Sequence, residues 1–198
     1  MQNLFFIFSC ALLSFALNAK HVFLSPSVNS QEEIQEALID LEPGDILTLE
    51  QGEYFFEDGL SLDVDNVIFE GSGINNTILN FGDQISGAQG LLVTSDGVTL
   101  RDFAILDAKG DAIKVIGADG ISMIRLRTEW TGGPKETNGA YGFYPVESKD
   151  VLIDGCVAIG ASDAGIYVGQ SRNIIVKNSV AQYNVAGIEI ENSYYADV

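Results

Sequence analysis

The chain has 198 residues, with 10 Lys+Arg against 28 Asp+Glu and a formal net charge of −18, so it lacks the cations to build the basic face that a nucleic-acid binder needs. With 46% hydrophobic and 19% charged residues it can bury a core, which excludes wholesale disorder. Its single His excludes a His-rich metal site or a pair of catalytic histidines.

None of the first 19 residues is charged, so the whole −18 is carried by residues 20–198. Leu4 to Leu17 is an apolar run with the length of a signal-peptide core, too short to span a bilayer comfortably, and no later stretch approaches it. Ser14-Phe15-Ala16 or Leu17-Asn18-Ala19 supplies the small residue before cleavage. Residues 1–19 therefore read as a signal peptide, and the mature chain as secreted or periplasmic with no transmembrane segment. A lipoprotein anchored through Cys10 is the minor alternative, since the apolar run continues beyond that residue. Cleavage removes Cys10 and leaves Cys156 without a disulfide partner.

Residues 20–44 form an N-terminal segment with one capping helix. Ser30 followed by Glu33 reads as a capping box, and Ile34, Leu38 and Leu41 recur at helical spacing before Pro43-Gly44 stops the element. From residue 45 to 198 short apolar or alternating runs are separated by Gly, Asn, Asp and Ser.

These runs repeat. A polar or Gly residue followed by apolar-x-apolar begins at Asn66, Gly97, Gly120, Asp150 and Asn173, with spacings of 31, 23, 30 and 23 residues, and Asp197-Val198 opens another after 24. A second in-phase block holds Ile113, Phe143, Ile166 and Ile188, and between the blocks Phe103, Leu126, Cys156 and Ser179 are equivalent. A period near 23 with several short strands per unit predicts an all-β, right-handed parallel β-helix in which each unit is one coil. A leucine-rich repeat lacks its Leu and Asn signature here, and a propeller needs about twice the period. The run stops in the opening of a coil, and an uncovered parallel edge predicts further coils beyond residue 198.

Stacking converts aligned positions into neighbours. Glu70, Arg101, Ile124, Asp154 and Lys177 form one outward column, giving opposite-charge pairs about 4.8 Å apart that read as a solvated face. Cys156 lies in an inward ladder and reads as a buried hydrophobe, with no base for nucleophilic chemistry because the one His is at position 21.

The two long periods mark insertions, around Asn75–Leu91 and from Arg127 to Tyr141, and insertions on a repetitive scaffold are where function concentrates. The second holds the only Trp and leads into Tyr144, which shares an outward column with Lys114, Tyr167 and Glu189. Aromatic rings beside carboxylates suit a sugar surface, so Trp130, Tyr144, Tyr167, Lys114 and Glu189 are the expected substrate-binding residues. Arg127, Glu129 and Asp163 are candidates for acid–base work, and Asp107, Asp111 and Asp163 are candidate Ca²⁺ ligands through hard oxygens.

The run from Glu129 to Asn192, with Glu-Trp-Thr-Gly-Gly-Pro, Asn-Gly-Ala-Tyr-Gly-Phe-Tyr-Pro-Val and Ile-Gly-Ala-Ser-Asp-Ala-Gly-Ile-Tyr-Val-Gly-Gln-Ser, resembles exported bacterial parallel β-helix repeat proteins of the pectin-lyase-like type. The similarity extends back to about Pro43. It implies a right-handed β-helix and transit of the inner membrane. More distantly the repeats are similar to carbohydrate-binding and sugar-hydrolase β-helices, including mannuronan C5-epimerases, which share an Asp-Pro-His-Asp motif absent here. If the protein is an enzyme, the resemblance implies lyase, epimerase or hydrolase chemistry without that motif. A pectate-lyase-like route would take Ca²⁺ and an Arg base, Arg125 or Arg127. Two readings result: binding or processing of an extracellular or periplasmic polysaccharide along the side face, or a non-catalytic scaffold for an envelope protein partner. The charge of −18 disfavours a polyanionic glycan unless Ca²⁺ bridges it.

Overall fold

The computed structural model describes residues 19–198, and the apolar run read as a leader lies outside the described residues. The first strand, β1 (His21–Leu24), precedes the helix α1 (Ser30–Ile39). Coils then follow as strand triplets: β2 (Ile46–Leu49), β3 (Gly52–Phe55) and β4 (Leu60–Leu62); β5 (Ile68–Glu70), β6 (Thr77–Asn80) and β7 (Gln89–Val93); β8 (Val98–Arg101), β9 (Ala104–Leu106) and β10 (Asp111–Ile116). Three more are β11 (Asp119–Ile124), β12 (Arg127–Glu129) and β13 (Phe143–Val146); β14 (Lys149–Asp154), β15 (Val157–Ile159) and β16 (Ala164–Gly169); β17 (Arg172–Lys177), β18 (Val180–Gln182) and β19 (Ala186–Glu191). Finally β20 (Tyr194–Asp197) opens the next coil. Every pairing is parallel between like strands of successive coils, so three sheets run the length of an all-β helix, the first with eight strands and the others with six.

Alternation explains the burial. In the first sheet Leu47, Phe69, Leu100, Met123, Ile153 and Val176 stack in register and all point inward. Phe56 and Phe81 stack at 4.7 Å between centroids, and Phe69 meets Phe103 at 5.0 Å. Phe103, Leu126 and Cys156 are fully buried, while Ser179, next in that ladder, is half-buried and accepts the Cys156 N–H on its hydroxyl at 3.1 Å. The outward column pairs as expected: Arg101 Nε donates to Glu70 at 2.7 Å and Lys177 Nζ lies 3.4 Å from Asp154.

The repeat start is a backbone feature. Asn66, Gly97, Gly120, Asp150 and Asn173 all have φ between 52° and 86°, the left-handed region that Gly, Asn and Asp enter most easily. The next member of this series is Tyr195, at φ 57°, and Ala196 pairs with Ile174. The last coil thus opens two residues earlier than the apolar pattern Asp197-Val198 indicated, because Tyr195 carries no turn-residue signature.

Two further differences concern the N-terminal segment. Residues His21–Leu24 form a strand on β2, which their length and lack of repetition had hidden. The helix begins at Ser30 itself, so the expected capping box does not form. Instead the Ser30 hydroxyl donates to the Ser27 carbonyl at 2.8 Å, and Glu33 accepts from the Ser27 hydroxyl at 2.8 Å. Ile34, Leu38 and Leu41 are buried as expected. The Gln35 amide donates to Ser61 O at 3.0 Å and accepts from Ser61 N–H at 2.9 Å, so α1 satisfies the open edge of β4. No helix among the described residues is long and apolar enough to cross a membrane.

Candidate functional site

The third sheet places Lys114, Tyr144, Tyr167 and Glu189 in successive strands on its outward side, with Lys114 opposite Tyr144 and Tyr167 opposite Glu189. Tyr141, at the end of the second insertion, folds over this column. Its ring centroid is 4.5 Å from that of Tyr144 and 4.7 Å from that of Tyr167, and Tyr144 meets Tyr167 edge-on at 5.3 Å. Lys114 Nζ lies 4.7 Å from the Tyr144 ring centroid, a cation–π contact.

Polar groups fringe the rings. Tyr167 donates its hydroxyl to Glu191 at 2.5 Å, and the Tyr141 N–H donates to Asp111 at 3.2 Å. Burial, followed by the carboxylate of Asp163 and its hydrogen bond, pushes the Tyr141 phenol up to about 12. The bond to Glu191 and burial raise Tyr167, and burial and Asp111 raise Tyr144, so these phenols stay neutral donors over the physiological range. Burial also raises Asp111, against the pull of Lys114.

Other expected site residues lie elsewhere. Trp130 is 5% exposed and donates its Nε1–H to Ala108 O at 2.7 Å, so it anchors the insertion from inside and offers no ring face to a ligand. Arg127 and Glu129 belong to the second sheet, where they pair with each other and Arg127 also donates to Ile74 O at 3.2 and 3.3 Å. That guanidinium is engaged on its own sheet and does not face the tyrosines. Arg125 binds Asp102 at 2.6 Å at a corner of the first sheet. Asp107 accepts from the N–H and hydroxyl of Thr131 at 2.7 and 2.6 Å, which fixes the start of the insertion. Asp111 and Asp163, two coils apart, both reach Tyr141.

Among the described residues no three His, Cys, Asp or Glu side chains form a group able to hold a metal, so a Ca²⁺ ion at Asp107, Asp111 or Asp163 would need backbone, water or ligand oxygens as well. In the first insertion Gln84 is buried and closes its own loop on Ser86 O and Gln89 O at 2.9 and 3.0 Å. Two depressions in the surface lie beside other elements. One of about 530 Å³ flanks Leu152, Ile175 and Tyr195, and one of about 330 Å³ lies between the second insertion and Tyr183. The tyrosine face runs as a strip across successive strands of the third sheet. Tyr141 and Glu191 are its members that repeat alignment missed. Glu191 follows Glu189 by two, the spacing that keeps a strand residue on one face; Tyr141 sits in an insertion with no aligned equivalent.

Two solved structures are similar to this chain, and the first agrees with its architecture. A PL6-family alginate lyase, AlyGC, superposes with a TM-score of 0.57 at 16% identity over 90% of this chain. This chain spans 29% of the lyase's length. A pectin methylesterase solved with a hexasaccharide covers 93% of this chain and is covered over 68% of its own, at 10% identity and a TM-score of 0.44. No curated protein sequence matches the chain. The family model for the right-handed β-helix region matches residues 58–198, most of the chain, and the protein belongs to that family.

Proposed function

We propose that the protein is exported and binds an extracellular or periplasmic polysaccharide along the outward strip of its third sheet, over Tyr141, Tyr144 and Tyr167. The observation that carries this reading is the set of three rings within 5.3 Å of one another on one face, fringed by Lys114, Asp111, Asp163, Glu189 and Glu191. Sugar rings pack their C–H faces on aromatic surfaces while their hydroxyls need donors and acceptors, and the strip supplies both. Successive coils lie about 4.8 Å apart, so an extended polymer lying along the axis meets the same column repeatedly. The polysaccharide-processing β-helix AlyGC supports the ligand class by analogy of fold. The uncharged run from Leu4 to Leu17 supports export.

Binding is the preferred activity, because the Arg127–Glu129 pair is spent on its own sheet. The carboxylates favour a neutral glycan; an acidic one would need Ca²⁺ held jointly with the polymer's own carboxylates. The test is binding to a panel of neutral and acidic glycans with and without Ca²⁺, with wild type beside Tyr144→Ala and Tyr167→Ala. The expected result is binding in wild type and at least a tenfold loss in each variant. Undiminished binding in both variants would remove the strip from the site, and failure to bind any glycan would favour the scaffold for an envelope protein. Ultraviolet absorbance of unsaturated uronate, followed with alginate and pectate, tests lyase activity separately.

A further inference from the structure

We infer that the leader is removed between Ala19 and Lys20, and that the α-ammonium released there pairs with the covered carboxylate of Asp45. The inference rests on the export reading and is independent of the glycan.

Two lines meet at that bond. The sequence offers Ala16 and Ala19 as small residues after which an exporting endopeptidase cuts. The fold distinguishes them, because Lys20 is the residue at which the chain joins the sheet: its carbonyl accepts from Ile46 N–H at 2.9 Å, and its own N–H donates to Asp45 Oδ1 at 2.6 Å. Asp45 is only 5% exposed, and its other oxygen accepts from Glu42 N–H at 2.9 Å. These two backbone donors hold its carboxyl below the ordinary range, so it is an anion at neutral pH. Ala19, exposed, makes no backbone hydrogen bond to the described fold.

Cleavage at this position changes the chemistry of an existing contact. Water adds its oxygen to the Ala19 carbonyl carbon, the C–N bond breaks, and the nitrogen of Lys20 keeps its electron pair and takes up both protons of that water, leaving an Ala19 carboxylate and a Lys20 ammonium. The nitrogen already 2.6 Å from Asp45 then carries a full charge, and a hydrogen bond charged only on its acceptor becomes an ion pair. Cleavage after Ala16 would leave Leu17-Asn18-Ala19 attached and put the charge three residues from its partner.

The pair also has a pH signature. An α-amine titrates near 7.7–8.0 when free, and a carboxylate partner raises that value in the folded state. The stabilisation is then complete below about pH 8 and lost as pH rises through the raised folded value. The experiment secretes the full chain from an export-competent bacterial host, then determines its first residue and intact mass. Lys20 is the expected first residue; any other start, or a secreted protein that keeps its leader, overturns the inference, whereas retention inside the cell overturns the export reading as well. The secreted protein is next compared with the same protein acetylated at its α-amine, which keeps the N–H but not the charge. Acetylation should lower Tm by about 2–4 °C at pH 6, with the difference vanishing above pH 10 and absent in Asp45→Asn. Equal Tm at pH 6 would overturn the pair, and this comparison does not depend on the variant folding.

Discussion

The indole N–H of Trp130 points inward, to the carbonyl of Ala108 one coil below, at 2.7 Å. The ring is thereby a structural pin for the second insertion. Trp130→Phe removes the donor and leaves a buried carbonyl unpaired, which should lower stability by about 1–3 kcal/mol. Trp130→Ala adds a cavity and should lower it by about 3–5 kcal/mol. Denaturant unfolding checks both, and the folded Phe variant should bind glycan as wild type does.

Alkaline titration should separate the tyrosines of the strip from free phenols. Tyr141, whose ordinary value is 10.0, is held near 12 by burial and Asp163, and Tyr144 and Tyr167 are raised too. The folded state then keeps protons that the unfolded chain releases, so stability is full below pH 10 and falls as pH rises from 10 towards 12. Tyrosinate absorbance should leave a fraction untitrated at pH 11 that appears on unfolding. Complete titration at pH 11 in the folded protein would contradict the packing of the strip.

Cys156 is fully buried, with its thiol pushed from 9.0 up to about 12 by desolvation. A thiolate is the reactive species, so Cys156 in the native protein should resist an aromatic disulfide reagent at pH 8 and react once unfolded in denaturant. Fast reaction of the native protein would place the thiol outside the core. The same shift removes stability as pH rises from about 9 towards 12.

Gly139 crosses directly over the preceding coil. A Cβ there would lie 1.7 Å from Gly110 O and 2.7 Å from the Trp130 ring, so Gly139→Ala should displace the insertion and lower stability by about 3 kcal/mol. At Gly187 a Cβ meets nothing within 4 Å, and Gly187→Ala should change stability by less than about 0.5 kcal/mol. Thermal unfolding of the pair measures the contrast.

Periodic features were legible in the sequence and single features were not. The ladder from Phe103 to Cys156 and the charge pairs at Glu70/Arg101 and Asp154/Lys177 follow from alignment alone, since a parallel stack makes equivalent residues neighbours. The same logic placed Lys114, Tyr144, Tyr167 and Glu189 on one column. It failed at Trp130, because the insertion has no aligned coil to say which way a ring points. It failed at β1, whose partner β2 is 25 residues away across a helix. At Tyr195 the backbone kept the left-handed corner after the side chain had ceased to advertise it.

That recurring corner also explains how the stack stays in step. Each coil re-enters the first sheet through the same left-handed residue, so the path length of one coil has no effect on where the next begins. The insertions after Asn66 and Gly120 lengthen their own coils to 31 and 30 residues, yet the following coils return to 23. Errors of length are cleared once per turn rather than accumulated, and a loop can therefore grow on one flank of the helix while every column along it remains straight.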